Sequence, residues 1–442
     1  MVTLLALWRT QGSRIGRAAL FCGGTAGCDV ADQAEHRAQK TVPGASGSEG
    51  GELATGHGRA FFWRPHENAR LRVSSPENPM RSFIKVGKYI AITALALVVL
   101  GFGGLLGVRT YLQHANAPAF AIDSPNGINE SAYVKIGGID QWLQIRGQDR
   151  NNPVLLCVHG GPGGTWDKVT RLFLRWEKDF TVVLWDQRGA GKSLRASGAS
   201  IAATMSVDRM AQDGVEVADY LRTHLQQDKV ILLGHSWGSI LGINMVKRRP
   251  DLFHAYVGTG QVSDLPRSTA MVYARLVEQA RAANDAPTLQ ALTRIGAPPF
   301  THPQAVAVFF QSIEKFQPAS DVTAMNELKR SLTSPPPGRS LLDDYYDFQG
   351  FAVVPPWRLY TEMLNTRLAV LGPDIAVPIF IFQGAEDPVT PASLAQEYFQ
   401  ALRAPRKEFV LLAGGGHFAV WSMADTFRQE LVGRVRPIAK QP

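Results

Sequence analysis

The chain has 442 residues, of which 45% are hydrophobic and 19% charged, and its formal net charge is +8. That length accommodates one large domain with additions, or two domains, around a sizeable core. Lys and Arg form no run interleaved with aromatics, so nucleic acid is not an expected partner. The three cysteines, Cys22, Cys28 and Cys157, are too few and odd in number for a disulfide framework. Cys157 lies in the apolar run PVLLCVHG, and no His or Cys ligands accompany Cys22 and Cys28 in CGGTAGC. No metal and no cofactor are expected.

In chain order, Met1–Pro79 shows little helical or strand periodicity and is rich in Gly, Ala, Ser and Arg. It reads as disordered, or as an extension upstream of the natural start. Met80 begins the layout of a true N-terminus: Arg81, Lys85 and Lys88 form a basic region, and Tyr89–Val108 then carries no charge. Twenty residues of helix span about 30 Å, enough to cross a hydrocarbon core. Residues 80–109 are therefore expected to form a signal anchor. A cleaved signal peptide is the alternative, with small residues at Ala115 and Ala117 in an A-x-A arrangement, but the apolar stretch is longer than an ordinary h-region. Three basic residues precede the span and only Arg109 follows it closely, which predicts a cytoplasmic N-terminus and an exported catalytic domain, periplasmic or extracellular. Cleavage would instead give a secreted protein.

Residues 110–131 read as a linker. From Ala132, AYVKIGGIDQWLQIRG predicts a hairpin, and PVLLCVHG, FTVVLWDQRG, KVILLGHS, HAYVGTG, VPIFIFQG and KEFVLLAG predict strands buried on both faces. Helical stretches such as SVDRMAQDGVEVADYLRTHL alternate with them, the pattern of a parallel α/β sheet. The alternation breaks over 263–373, a mostly helical segment with Pro-rich interruptions. The core is thus expected in two parts, 132–262 and 374–442, around a helical insertion.

The chemistry centres on GHSWGS. Gly234, Ser236 and Gly238 form G-x-S-x-G between an apolar strand and a helix-compatible run, a turn that lifts a serine hydroxyl above a sheet. The helix N-terminus beneath it favours developing negative charge. A hydroxyl needs a general base. Among ten histidines, His417 is best placed, on the glycine-rich loop after the last strand. Asp387, after the preceding strand, is the carboxylate to orient it, with Glu386 as a rival one residue away. All three lie beyond the C-terminal ends of predicted strands, which converge on one edge of a parallel sheet. The glycines of CVHGGPGGTWD let backbone N–H groups approach a ligand, and the N–H groups of Gly161 and Trp237 are assigned to the oxyanion hole. The G-x-x-x-x-G-K-[ST] spacing of a phosphate loop is absent, although GAGKS at Gly189–Ser193 resembles part of one. His159 and Asp186 read as structural, and Arg188 as a brace for the loops.

Taken in order, HGGPGG, WDQRGAGKS, GHSWGS, GAEDPVTP and GGGHF resemble the α/β-hydrolase fold, and within it the proline iminopeptidase-like serine hydrolases, over Ala132–Val435. The resemblance implies Ser236 as nucleophile, His417 as base and then acid, Asp387 as its orienting carboxylate, and the insertion as a helical cap that selects substrate. It implies release of N-terminal residues, proline among them, from small peptides. Family aminopeptidases hold the free amine with cap carboxylates, often in a Trp-Glu context, which this cap lacks. Glu278, Glu314, Glu327, Asp343, Asp344, Asp347 and Glu362 are the available acids. The aromatic set Tyr345, Tyr346, Phe348, Phe351 and Trp357 equally suits an acyl or ester pocket, or cap core. Aminopeptidase and esterase or other acyl-hydrolase action therefore both stand. A serine at position 236 argues against dehalogenase and epoxide hydrolase chemistry, and the complete constellation argues against an inactive binding protein.

Overall fold

The structure, a computed structural model, describes residues 79–440. Expectations for the segment before Pro79, including Cys22 and Cys28, fall outside the described residues. The first element is helix α1, Pro79–Asn116. Its most apolar 18-residue window has a mean hydropathy of 2.3, and its Leu95, Leu97, Val98, Val99 and Leu100 side chains are exposed. By length and composition α1 is a candidate membrane span.

The helix runs on past Arg109 to Asn116, through the first third of the stretch read as a linker. Polar residues there find tertiary partners: Gln113 Nε2 donates to the carbonyl oxygens of Pro336 and Arg339 at 3.0 and 2.7 Å, and Asn116 Nδ2 donates to Ser334 Oγ at 2.6 Å. These bonds supply a reason for helix that the local sequence does not contain.

One eight-stranded sheet follows, in the order β1-β2-β4-β3-β5-β6-β7-β8. The strands are β1 Ile128–Ile136, β2 Ile139–Gly147, β3 Val154–Val158, β4 Thr181–Asp186, β5 Val230–His235, β6 Phe253–Thr259, β7 Ile379–Gly384 and β8 Lys407–Leu412. The first two form the antiparallel hairpin, turning at Gly137 and Gly138, both with positive φ. The hairpin starts at Ile128, ahead of the expected Ala132, because Asn129, Glu130 and Ser131 pair with Arg146, Ile145 and Gln144. Polar residues on an outer strand face solvent without breaking the ladder, and so hide the strand. Strand β2 pairs antiparallel with β4, and all pairs from β3 to β8 are parallel.

The described helices after α1 are α2 Gly191–Ser197, α3 Val207–Leu225, α4 Trp237–Arg248, α5 Leu265–Ala282, α6 Ala286–Ile295, α7 Pro303–Lys315, α8 Ala319–Thr333, α9 Leu341–Ala352, α10 Trp357–Leu364, α11 Ala392–Ala401, α12 Ala419–Ser422 and α13 Ala424–Glu430. Six of them, α5 to α10, lie between β6 and β7 as the helical insertion. Alternate strand residues feed two cores, as the two-residue period of a strand requires. Leu156, Val158, Leu232 and Trp185 pack with Met210, Leu221 and Leu241 of α3 and α4. Leu155, Cys157, Leu233 and Phe382 pack on the other side with Trp176, Phe427 and Leu431. The insertion has a core of its own, built on Val272, Leu276, Leu292, Phe309 and Ile313.

A charged seam joins the insertion to the sheet layer. The Arg339 guanidinium, with its side chain 3% exposed, donates to Asp167 Oδ1 and Asp344 Oδ1, each at 2.8 Å, and pairs with Asp347. Lys192 also pairs with Asp167, and Arg109 of α1 meets Asp344 Oδ2 at 3.0 Å. Burial raises the Asp167 carboxyl, but Arg339, Lys192 and Lys168 outweigh it and hold it down at about 2.

Candidate active site

Ser236 sits between the last residue of β5 and the first of α4, with φ 53° and ψ −119°. A non-glycine residue with positive φ is held there by its surroundings. Here its N–H donates to Thr259 O at 3.0 Å, and its carbonyl accepts from Ser239 N and Oγ at 2.8 and 2.6 Å. The flanking glycines are sterically required: a Cβ on Gly238 would lie 2.1 Å from Val158 O, and one on Gly234 would lie 2.7 Å from Gly238 O. The turn therefore needs the G-x-S-x-G pattern, and it leaves Ser236 half-buried.

The structure brings Ser236, His417 and Asp387 together. His417 Nε2 lies 2.9 Å from Ser236 Oγ, and Nδ1 lies 2.9 and 3.0 Å from the two Asp387 oxygens. Asp387 is 1% exposed, whereas its rival Glu386 is exposed. The carboxylate is held from several sides. Oδ1 accepts from the N–H groups of Val389 and Thr390, both at 2.8 Å, and Oδ2 accepts from Thr390 Oγ1 at 2.8 Å and Gln383 Nε2 at 3.0 Å. Burial pushes the carboxyl up, but His417 and these donors outweigh it, so it stays below the usual carboxylate value. On the imidazole, burial acts downward. The Asp387 charge and hydrogen bond, with the Asp321 charge, prevail and raise His417 above its ordinary value.

The loop after β3 lies against the serine: a Cβ on Gly160 would come within 3.2 Å of Ser236 Cβ. This puts the Gly161 region beside the Ser236 turn. The N–H of Trp237, in the first turn of α4, has no intrahelical acceptor. Gln187 ties these parts together. Its N–H donates to His159 Nε2 at 3.3 Å, its Nε2 donates to His159 O at 3.0 Å, and its Oε1 accepts from Trp237 Nε1 at 3.0 Å. His159 is buried and its pKa falls to about 4, chiefly through that burial. Arg188 is wholly internal: Nε and a terminal nitrogen donate to Asp213 at 2.6 and 3.0 Å, and other bonds reach Thr204 Oγ1 and Gly137 O. Asp186 accepts from Lys192 N at 2.8 Å, and burial raises its carboxyl well above the usual range.

Five residues around Ser236, His417 and Asp387 escaped the sequence reading: Gln187, His235, Asp321, Gln383 and Thr390. Gln187 and His235 flank motif residues, but their bonding partners are distant in sequence. The acids that were singled out in the insertion are mostly engaged elsewhere. Asp343 completes a capping box with Ser340, Asp344 and Asp347 bind Arg339, Glu327 pairs with Arg330, and Glu362 accepts from Val207 N. Glu278 is exposed and Glu314 half-buried. Among the aromatics, Tyr345 is exposed, while Tyr346 and Trp357 pack against the cores. Among the described residues, no group of three or more His, Cys, Asp or Glu side chains is placed to hold a metal ion.

A serine on a strand–helix elbow, with His and Asp on the loops after two later strands of one parallel sheet, defines a hydrolase class. The chain belongs to the alpha/beta hydrolase fold family, whose model matches residues 153–423. It is similar to probable aminopeptidase YbaC of Bacillus subtilis (strain 168), with 32% identity over 314 residues, 64% of this chain and 89% of that protein. It is similar also to a proline iminopeptidase of Saccharolobus solfataricus, 29% identical over 154 residues, 34% of this chain and 46% of that protein. Among solved structures, one described as a membrane phospholipase A, a novel bacterial virulence factor, aligns with a TM-score of 0.51 at 18% identity. The alignment covers 82% of this chain and 100% of that one, a likeness of fold.

Proposed function

We propose that this chain is a membrane-anchored serine hydrolase that works through an acyl-enzyme, with Ser236 as nucleophile. The observation that carries this reading is the continuous hydrogen-bonded path from Ser236 Oγ through His417 to Asp387, each link 2.9–3.0 Å long. As Ser236 attacks a carbonyl carbon, His417 Nε2 takes the hydroxyl proton and then gives it to the leaving group. Asp387 keeps the proton on Nδ1, so that Nε2 is the acceptor, and stabilises the imidazolium. The N–H groups of Gly161 and Trp237 receive the oxyanion. Water then enters by the same route and frees the enzyme. Helix α1 holds the protein in the membrane, with the catalytic domain exported.

For substrate, we take release of N-terminal residues, proline among them, from small peptides. The named activities of the aminopeptidase and iminopeptidase relatives support it. A second reading, an esterase or other acyl hydrolase, is favoured by one observation. Most of the insertion acids that could receive a substrate amine are bound to Arg339, Arg330, Ser340 or a backbone N–H. A single panel separates the two, with prolyl, other aminoacyl and blocked aminoacyl anilides set beside short-chain p-nitrophenyl esters. Turnover confined to unblocked aminoacyl substrates supports the peptidase, and indifference to the amine supports the acyl hydrolase. Fluorophosphonate labelling of the wild type but not of Ser236→Ala is expected, and an unlabelled wild type would reject the serine mechanism.

A further inference from the structure

Asp321 is the third residue of α8, in the helical insertion, and is 1% exposed. Its two carboxylate oxygens accept from two successive backbone amides of the loop after β8: Oδ2 from His417 N at 2.9 Å and Oδ1 from Phe418 N at 3.0 Å. The approach is close enough that a Cβ on Gly416 would stand 2.4 Å from the carboxylate. Gly416 is thus the residue that admits it.

The bond acts on the residue that carries the base. The N–H of His417 is held by Asp321, its carbonyl oxygen by His235 Nε2 at 2.9 Å, and its ring by Asp387. Backbone and side chain are clamped together, and one of the three clamps comes from the insertion rather than from the sheet. Without it, the buried His417 amide and the half-buried Phe418 amide would lose their acceptor, and the loop would move to find another.

We propose that Asp321 is a positioning residue for His417, by which the helical insertion holds the histidine loop in register with Ser236. The inference rests on the reading of His417 as the general base.

The charges facing His417 are Asp387 from the loop after β7 and Asp321 from α8. His235, at the end of β5, is kept neutral, its pKa lowered to about 3 chiefly by burial. Asp321 in turn faces His417 and Asp387; burial raises its carboxyl, against the two amide bonds. Asp321→Asn keeps the shape, but it removes a negative charge from beside the imidazole and turns an amide N–H₂ towards one of the two N–H groups. Loss of that charge makes the imidazolium easier to deprotonate, so the neutral base persists to lower pH.

The test is the rate of fluorophosphonate labelling of Ser236 against pH, in full-length protein in detergent, with the thermal midpoint recorded alongside. Asp321→Asn is expected to slow labelling about 10- to 100-fold, the scale set by small misplacements of reacting groups, and to move its acid limb to lower pH. If wild type labels and the variant shows the same rate and acid limb, or loses rate only in proportion to its unfolded fraction, the proposal is overturned. If wild type itself does not label, it is the serine mechanism that fails. Should Asp321→Asn not fold, Gly416→Ala displaces the carboxylate while keeping its charge. It is expected to slow labelling with a smaller movement of the acid limb, and labelling at the wild-type rate would overturn the proposal.

Discussion

His235 Nε2 donates to the backbone carbonyl of His417 at 2.9 Å, with the two rings 5.1 Å apart. The residue before Ser236, the proposed nucleophile, therefore holds the histidine proposed to activate it, joining the end of β5 to the loop after β8. The other ring nitrogen, Nδ1, is buried with no partner among the described residues. Burial lowers the His235 pKa to about 3, so the ring stays neutral and the contact is a fixed strut across the working pH range.

Replacing that strut gives a first prediction. His235→Phe keeps a buried ring but leaves the His417 carbonyl without its donor, an expected loss of about 1–3 kcal/mol of stability. Urea unfolding of the full chain in detergent reads the midpoint, and an unchanged midpoint would show that the bond is dispensable.

The pH profile follows from His417. Its pKa is raised because the Asp387 and Asp321 charges outweigh burial, and in the proposed mechanism it must be neutral to accept the serine proton. We expect kcat/KM to rise with pH through an apparent pKa above the ordinary imidazole value. Asp387→Asn removes the larger of the two supporting charges, so the limb should move down. If Asp387 has the proposed role, activity should fall about 10⁴-fold, the scale known for a triad carboxylate. A limb at or below the ordinary value in the wild type would contradict this assignment.

At the seam, Arg339→Met would take the shared partner from Asp167, Asp344 and Asp347, leaving them only Lys192, Arg109 and the more distant Lys168. Breaking a buried ion pair by removing one partner costs about 3–5 kcal/mol, and a similar loss is expected in denaturant unfolding at neutral pH. The sign with pH is fixed by Asp167, whose folded pKa is held down at about 2. A depressed carboxyl contributes stability above its unfolded pKa and loses it as pH falls. The gap between wild type and variant should therefore narrow as pH drops from the ordinary carboxylate range towards 2. A gap independent of pH would place the effect in packing alone.

The apolar run of α1 predicts fractionation. The full chain should sediment with membranes, resist high-salt and alkaline washes, and be released by detergent, as an inserted helix requires. Release by salt alone would mean a peripheral attachment.

Much of this was legible in the amino-acid order. The six apolar runs from PVLLCVHG to KEFVLLAG became β3 to β8. Strands β3 to β7 are almost wholly buried and so mainly apolar. Strand β8, expected to be buried on both faces, instead lies at the sheet's edge with Lys407 and Leu411 exposed. GHSWGS was readable for the same local reason, because a turn that brings Gly238 against Val158 O admits no other residue. The hairpin's polar start at Asn129–Ser131 and the extension of α1 to Asn116 were not, since their partners lie far along the chain.

What the sequence determined by itself was periodicity, turn chemistry and the order Ser236, Asp387, His417, each a property of a few neighbouring residues. What only the tertiary structure decided was which polar groups face one another. Seven acids of the insertion drew attention, yet Asp321, set beside His417 across 96 positions, is the one that touches its loop. Arg339 reaches Asp167 across 172. A carboxylate on a helix surface has the same local signature whether it meets water or a buried amide. The choice between them is made by how helices pack, and packing is a property of the whole chain.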